Sequence, residues 1–137
     1  MIDDLKNKLA ELVDFDVRAS FYNAGLSIQG NIIFIEPHES TADIKSGMNA
    51  DYVETLYFRL IVGVPSKSNA DAPKQLIDAV RSVRSKLWKN ERMTDKVSWM
   101  NIVSFREFES CKFIRPEPNE SKALAVLTLE IKNRVAI

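Results

Sequence analysis

Nucleophilic catalysis needs a serine, threonine or cysteine held beside a base, and this sequence offers one histidine, His38, and one cysteine, Cys111. His38 lies in Glu36-Pro37-His38-Glu39-Ser40. Ser40 is too near it along the chain to form a hydroxyl–imidazole pair without special backbone geometry. A solvated loop histidine is the ordinary reading. Cys111 stands between Ser110 and Lys112, whose charge would lower a thiol pKa. Its β-prone surroundings suit a small half-buried filler better. Glu36, Glu39 and Asp43 can converge in a loop, yet nothing in their spacing sets the carboxylate separation that a glycosidase or metal site requires. The chain has four glycines, and none falls in a GxxxxGK[ST] or GxGxxG phosphate loop. A single cysteine excludes an internal disulfide framework and a multi-cysteine zinc site. The expectation is no catalytic residue, no cofactor, no metal and no enzyme.

Basic residues are better organised. Residues 74–96 hold seven Lys/Arg against three Asp/Glu. Arg81, Arg84, Lys89 and Arg92 fall on or near one side of a helical stretch, a spacing that can neutralise phosphates. Trp88 and Trp99 lie near them in sequence. Trp88, however, continues an apolar stripe, and no RNP, KH or zinc-finger signature is present. A small nucleic-acid-binding module using residues 74–92 is therefore an alternative reading.

The chain that must position these groups has 137 residues, enough for one ordinary domain spanning residues 1–137. Hydrophobic residues make up 45% and charged residues 28%, which excludes a disordered or fibrous chain. No apolar run approaches the roughly 18–20 residues of a membrane helix. The acidic, amphipathic start does not read as a signal peptide, so a soluble intracellular protein is expected. Nineteen bases balance nineteen acids, so no strong global attraction to nucleic acid follows. The balance is uneven along the chain. Residues 1–68 have six Lys/Arg and ten Asp/Glu; residues 69–137 have thirteen and nine. Opposite poles of this kind suit head-to-tail association or two different partners.

Ile2, Leu5, Leu9 and Leu12 fall at helical spacing, with Val13 beside them, and predict a helix over about residues 2–13. Phe15, Val17, Ala19 and Phe21 share one parity and predict a short strand. Ile32-Ile33-Phe34-Ile35, bounded by Gly30 and Pro37, reads as a strand buried on both faces. From His38 to Ala50 the chain is polar and predicts a long loop, a kind of segment that is usually functional or mobile. Residues 51–64 alternate strictly: Leu56, Phe58, Leu60, Val62 and Val64 point one way, and Val53, Thr55, Tyr57, Arg59 and Ile61 the other. A helix begins near Pro73, with Leu76, Val80, Val83 and Leu87 as its buried stripe. Residues 97–114 are β-prone with a bulge or break near Glu107–Ser110. Residues 122–135 form a last strand with Ala123, Ala125, Leu127, Leu129 and Ile131 facing in. The sum is an α+β fold, a mainly antiparallel sheet with two helices packed on one face. Val53, Tyr57, Ile61, Leu124 and Val126 make the other face partly apolar, as a subunit interface would require.

This order resembles a family. An N-terminal amphipathic helix precedes Asn31-Ile32-Ile33-Phe34-Ile35-Glu36-Pro37, followed by a polar stretch and the strand Tyr52–Val64. A helix reading Leu-Ile-Asp-Ala-Val-Arg-Ser-Val-Arg-Ser-Lys-Leu-Trp, residues 76–88, follows. The strand Lys122–Ile131 comes last. Together they look like the tail terminator, or tail completion, proteins of long-tailed bacteriophages and Mu-like prophages. The resemblance is one of element order across nearly the whole chain, without a motif that matches position to position. It implies a structural virion protein at the head-proximal end of the tail, assembled in the bacterial cytoplasm. Its subunits would form a six-membered ring that caps the tail tube, stops polymerisation and offers a surface to the head connector. A head–tail connector or neck protein of similar fold is the nearest alternative. Expected partners are further copies of the chain, the tail tube protein and the connector. No membrane is expected among them, and nucleic acid would be met only as DNA in the ring lumen. The residues expected at interfaces are Glu39, Asp43, Lys45 and Met48 in the loop, with Arg81, Arg84 and Lys89 on the helix.

Overall fold

The computed structural model describes residues 2–23, 25, 29–43, 51–65, 71–88, 102–116 and 122–136. The elements run α1 (Ile2–Leu9), β1 (Phe15–Arg18), β2 (Asn31–Asp43), β3 (Asp51–Pro65), α2 (Ala72–Trp88), β4 (Ile102–Ile114) and β5 (Lys122–Ala136). The strands form one sheet in the order β1-β2-β3-β5-β4. Every pairing is antiparallel except β1 with β2, which is parallel. The expected α+β architecture is therefore the observed one. Among the described residues no helix is long and apolar enough to cross a membrane.

The alternation in β3 and β5 generates the layers. Leu60 lies opposite Ile35 on one side and Leu127 on the other. With Val62, Ala125, Leu129 and Ile131 they form an apolar sheet face that meets Leu5 and Leu9 of α1 and Leu76, Val80, Val83 and Leu87 of α2. Period two in the strands and 3.6 in the helices place these residues on facing surfaces. Burying each large aliphatic side chain contributes about 1.5–3 kcal/mol.

The end of the first helix and the stretch after Pro37 differ from the sequence-based expectation, each for a local reason. The first helix ends at Leu9 rather than Val13. Beyond it Glu11 N–H bonds to Lys8 C=O at 3.3 Å and Leu12 N–H to Leu9 C=O at 3.0 Å. Such three-residue turns rotate the chain out of α-helical phase. Leu12 and Phe15 still reach the core, whereas Val13 is left 91% exposed.

The second difference concerns the polar stretch after Pro37. Residues 38–43 are not loop but the outer half of β2, paired with β3 as far as Asp43 opposite Val53. The strand passes Pro37 through a register shift between Pro37 and Glu39. Pairing with β1 ends at Arg18–Phe34, so Pro37 lies on a free edge where a missing N–H costs no ladder bond. The rest of the expected loop, residues 44–50, lies outside the described residues.

In β4 the irregularity appears where it was expected. Register shifts between Phe108 and Lys112, and Glu109 has φ of 64°. That left-handed residue lets the strand bend and resume pairing at Lys112–Val126.

Candidate functional site

The sheet face away from the helices is divided in two. At one end Ile32, Phe34, Ile61 and Leu124 form a second buried cluster, closed by Tyr22 and Val126. Tyr22 meets Phe34 edge to face at 5.5 Å between ring centres, and its backbone N–H donates to Glu36 Oε2 at 2.8 Å. The Lys122 ammonium sits 5.1 Å from the centre of the same ring. This seals the partly apolar outer positions nearest β1. The other end, built from the outer halves of β2 and β3 with β4 and β5, stays open.

Glu130 is the centre of the open end. It lies opposite Tyr57 on β3 and Arg106 on β4, and it is 4% exposed. Its carboxylate accepts from Arg106 Nε at 2.8 Å, from Arg106 Nη2 at 3.3 Å and from Tyr57 Oη at 3.0 Å. The concealment is local, because Arg106 and Tyr57 cover a group that sits at the sheet surface. The Phe108 ring lies 5.1 Å from Tyr57, and the Arg106 guanidinium is 5.4 Å from the Phe108 ring centre. Beside this cluster Arg59 Nη2 lies 3.2 Å from His38 Nε2. A guanidinium only donates, so this contact occupies the nitrogen lone pair that a general base would use.

These contacts bias the titrations toward fixed charges. The Arg106 hydrogen bonds, helped by Tyr57, hold the Glu130 carboxyl below its usual range against the opposing effect of burial. Tyr57 is raised, chiefly by its bond to Glu130, and Arg106 is raised by the same carboxylate. Glu130 is thus an ionised structural acceptor rather than a proton donor at neutral pH. A depressed carboxyl stabilises the fold above the unfolded value of about 4.3, and that contribution disappears as pH falls through the lower folded-state value. Glu130→Gln should therefore cost about 1 kcal/mol at pH 7 after allowance for solvent screening. The gap between the two proteins should narrow in urea unfolding curves as pH is lowered through the acid range. An equal gap at neutral and acid pH would show that the carboxylate charge contributes nothing.

The expected interface residues fall on both sides of the sheet. Glu39 and Asp43 are exposed on β2, opposite Tyr57 and Val53, and so lie on the outer face. Arg81 and Arg84 are on α2, in the layer behind the other face. Arg81 is exposed, whereas Arg84 is clamped by Glu107, Nε to Oε1 at 2.9 Å and Nη2 to Oε2 at 2.7 Å. Lys45, Met48 and Lys89 lie outside the described residues, as do Arg92 and Trp99. Trp88 packs against Phe105 with ring centres 4.8 Å apart, so it belongs to the core edge and is no stacking platform. Glu36, Glu39 and Asp43 do not meet in a loop, because all three lie along one extended strand.

Cys111 is half-buried in β4. Burial pushes its thiol up, with Arg84 rather than the adjacent Lys112 supplying the opposing charge. Among the described residues no group of three His, Cys, Asp or Glu side chains is placed to hold a metal ion. Glu130 and Arg106 were not among the residues singled out from sequence, although Tyr57 was placed on the partly apolar outer face. The signal was available in the outer parity of Tyr57 and Glu130, but their pairing spans 73 positions. No protein-family model matches the chain, and no curated protein is similar to it.

Proposed function

We propose that this chain is a structural assembly subunit of the tail-terminator kind rather than an enzyme. In that role it joins further copies in a six-membered ring on the tail tube of a long-tailed phage, ends tube growth and receives the head connector. It would act in the virion, after assembly in the bacterial cytoplasm. The observation that carries the reading is the open sheet surface around Glu130. There Arg106, Tyr57, Phe108 and Glu130 hold one another, and Arg59 meets His38. Such a surface is preorganised for contact, because Tyr57, Arg106 and Phe108 lose little freedom on meeting a partner. The clamp of Glu107 on Arg84 weighs against the nucleic-acid alternative by removing one cation from the helical row.

The test is light scattering coupled to gel filtration across a concentration series, with and without polymerising tail-tube protein. Hexamers, or six-fold caps that arrest tube growth, are the expected result. A strict monomer that leaves tube growth unaffected would overturn the proposal. Tight binding to nucleic acid that falls steeply with salt would replace it with the basic-helix reading.

A further inference from the structure

The two edges of the sheet carry complementary surfaces on the helix-covered side. At the β4 edge, the start of α2 and the end of β4 enclose an apolar groove of about 450 Å³. Its walls include Pro73, Leu76, Ile77, Phe113, Ile114 and Arg115. Two of these on the helix side are large apolar residues left in solvent, Ile77 at 40% and Phe113 at 54% exposure, while Ile114, paired with Leu124, turns toward the other face. Arg115 lies in the lining, and Arg81 follows Ile77 by one helical turn on the same side of α2.

The opposite side of α2 has the reverse character. A hollow there is lined by Asp14, Asp71 and Asp78, with no lysine or arginine among its lining residues. Next to Asp14 stands Val13, the most exposed large apolar side chain among the described residues. One edge thus presents an apolar knob with acids, and the other an apolar socket with bases. β1 and β4 are four strand spacings apart, about 19 Å, so the knob cannot fill the socket of its own chain. A groove-to-groove pairing of two copies would instead bring Arg81 and Arg115 against their own equivalents.

We infer that copies of this chain associate head to tail, Val13 and the Asp14–Asp71–Asp78 side of one copy entering the groove beside Ile77 and Phe113 of the next. The contact is heterologous, so it repeats around a ring or along a filament instead of closing as a dimer. This inference rests on the assembly reading above and names the surface through which assembly proceeds.

Single-cysteine variants test it. In a Cys111→Ser background, Val13→Cys and Phe113→Cys proteins are mixed, oxidised and compared with each variant alone, in samples whose size is read by light scattering with and without the tube protein. The mixture should give at least tenfold more disulfide-linked pairs than either variant alone. Arg115→Asp should weaken association about tenfold, and mixing it with Asp14→Lys should restore the lost affinity. All four positions are exposed, so loss of fold does not mask the result. Assembled copies that link Val13→Cys to itself, or that form no mixed link, would overturn this interface and leave the assembly reading standing. Copies that remain monomeric under every condition would overturn both.

Discussion

Leu60→Ala is expected to lower the free energy of unfolding by about 3 kcal/mol, within the 2–5 kcal/mol range for truncating a buried leucine. Leu60 is fully buried in β3, with Ile35 and Leu127 as its cross-strand neighbours beneath the helices. Its cross-strand neighbours Ile35 and Leu127 are themselves fully buried, which leaves them little room to collapse into the space. The loss therefore combines the transfer term of the missing carbons with a cavity that stays open. A domain of this size has only about 5–15 kcal/mol of net stability, so the urea midpoint should fall substantially. The α+β fold should persist in far-ultraviolet circular dichroism below the transition. A change under 1 kcal/mol would mean that the two layers are not packed together at Leu60.

Phe34→Ala should cost a similar amount, about 3–4 kcal/mol, by a different route. Phe34 is 2% exposed on the face away from both helices, where it supports Tyr22. Losing the ring removes the edge-to-face contact and leaves Ile32, Ile61 and Leu124 under a lid with nothing beneath it. Amide exchange should quicken at Tyr22, whose N–H is held by Glu36, and at neighbouring positions. Exchange around Leu60 and Leu127 should rise only in step with global stability. This contrast separates the two clusters. Unchanged exchange at Tyr22 would show that the outer cluster is not what holds that segment. The functional consequence follows directly: with Tyr22 released, the apolar outer face extends the open surface around Glu130. Non-specific aggregation should then increase.

The two substitutions probe the two coverings of the sheet separately. The helical layer covers the half of the sheet centred on Leu60, and Tyr22 covers the back of that half. What remains open is the far end of β2, β3, β4 and β5, where Glu130 holds Arg106 and Tyr57. Fixed charges and rings at that end are compatible with a surface shaped for another protein.

Regular periodicity was the legible part of this chain. The strict alternation of residues 51–64 and 122–135 determined both central strands and which of their residues would be buried. The apolar run 32–35 declared a strand covered on both faces, and the stripe Leu76–Val80–Val83–Leu87 declared the second helix. Those patterns are local, because burial on one face repeats every two or every 3.6 residues. They determined the α+β class and the two-helix layer.

Tertiary structure decided what depends on neighbours distant in sequence. The polar residues 38–43 became strand because β3 offered them a ladder, a gain that their own composition does not reveal. Val13 went to solvent because hydrogen bonds after Leu9 turned the chain by a fraction of a helical turn. Arg84, in sequence a member of a basic row, was taken by Glu107, which lies 23 positions away. Above all, β5 entered between β3 and β4 and brought Tyr57, Arg106 and Glu130 together. Sequence alone gave Tyr57 and Glu130 an outward parity and left Arg106 in an irregular stretch. Only cross-strand register, which is set by long-range pairing rather than by local pattern, put them in contact.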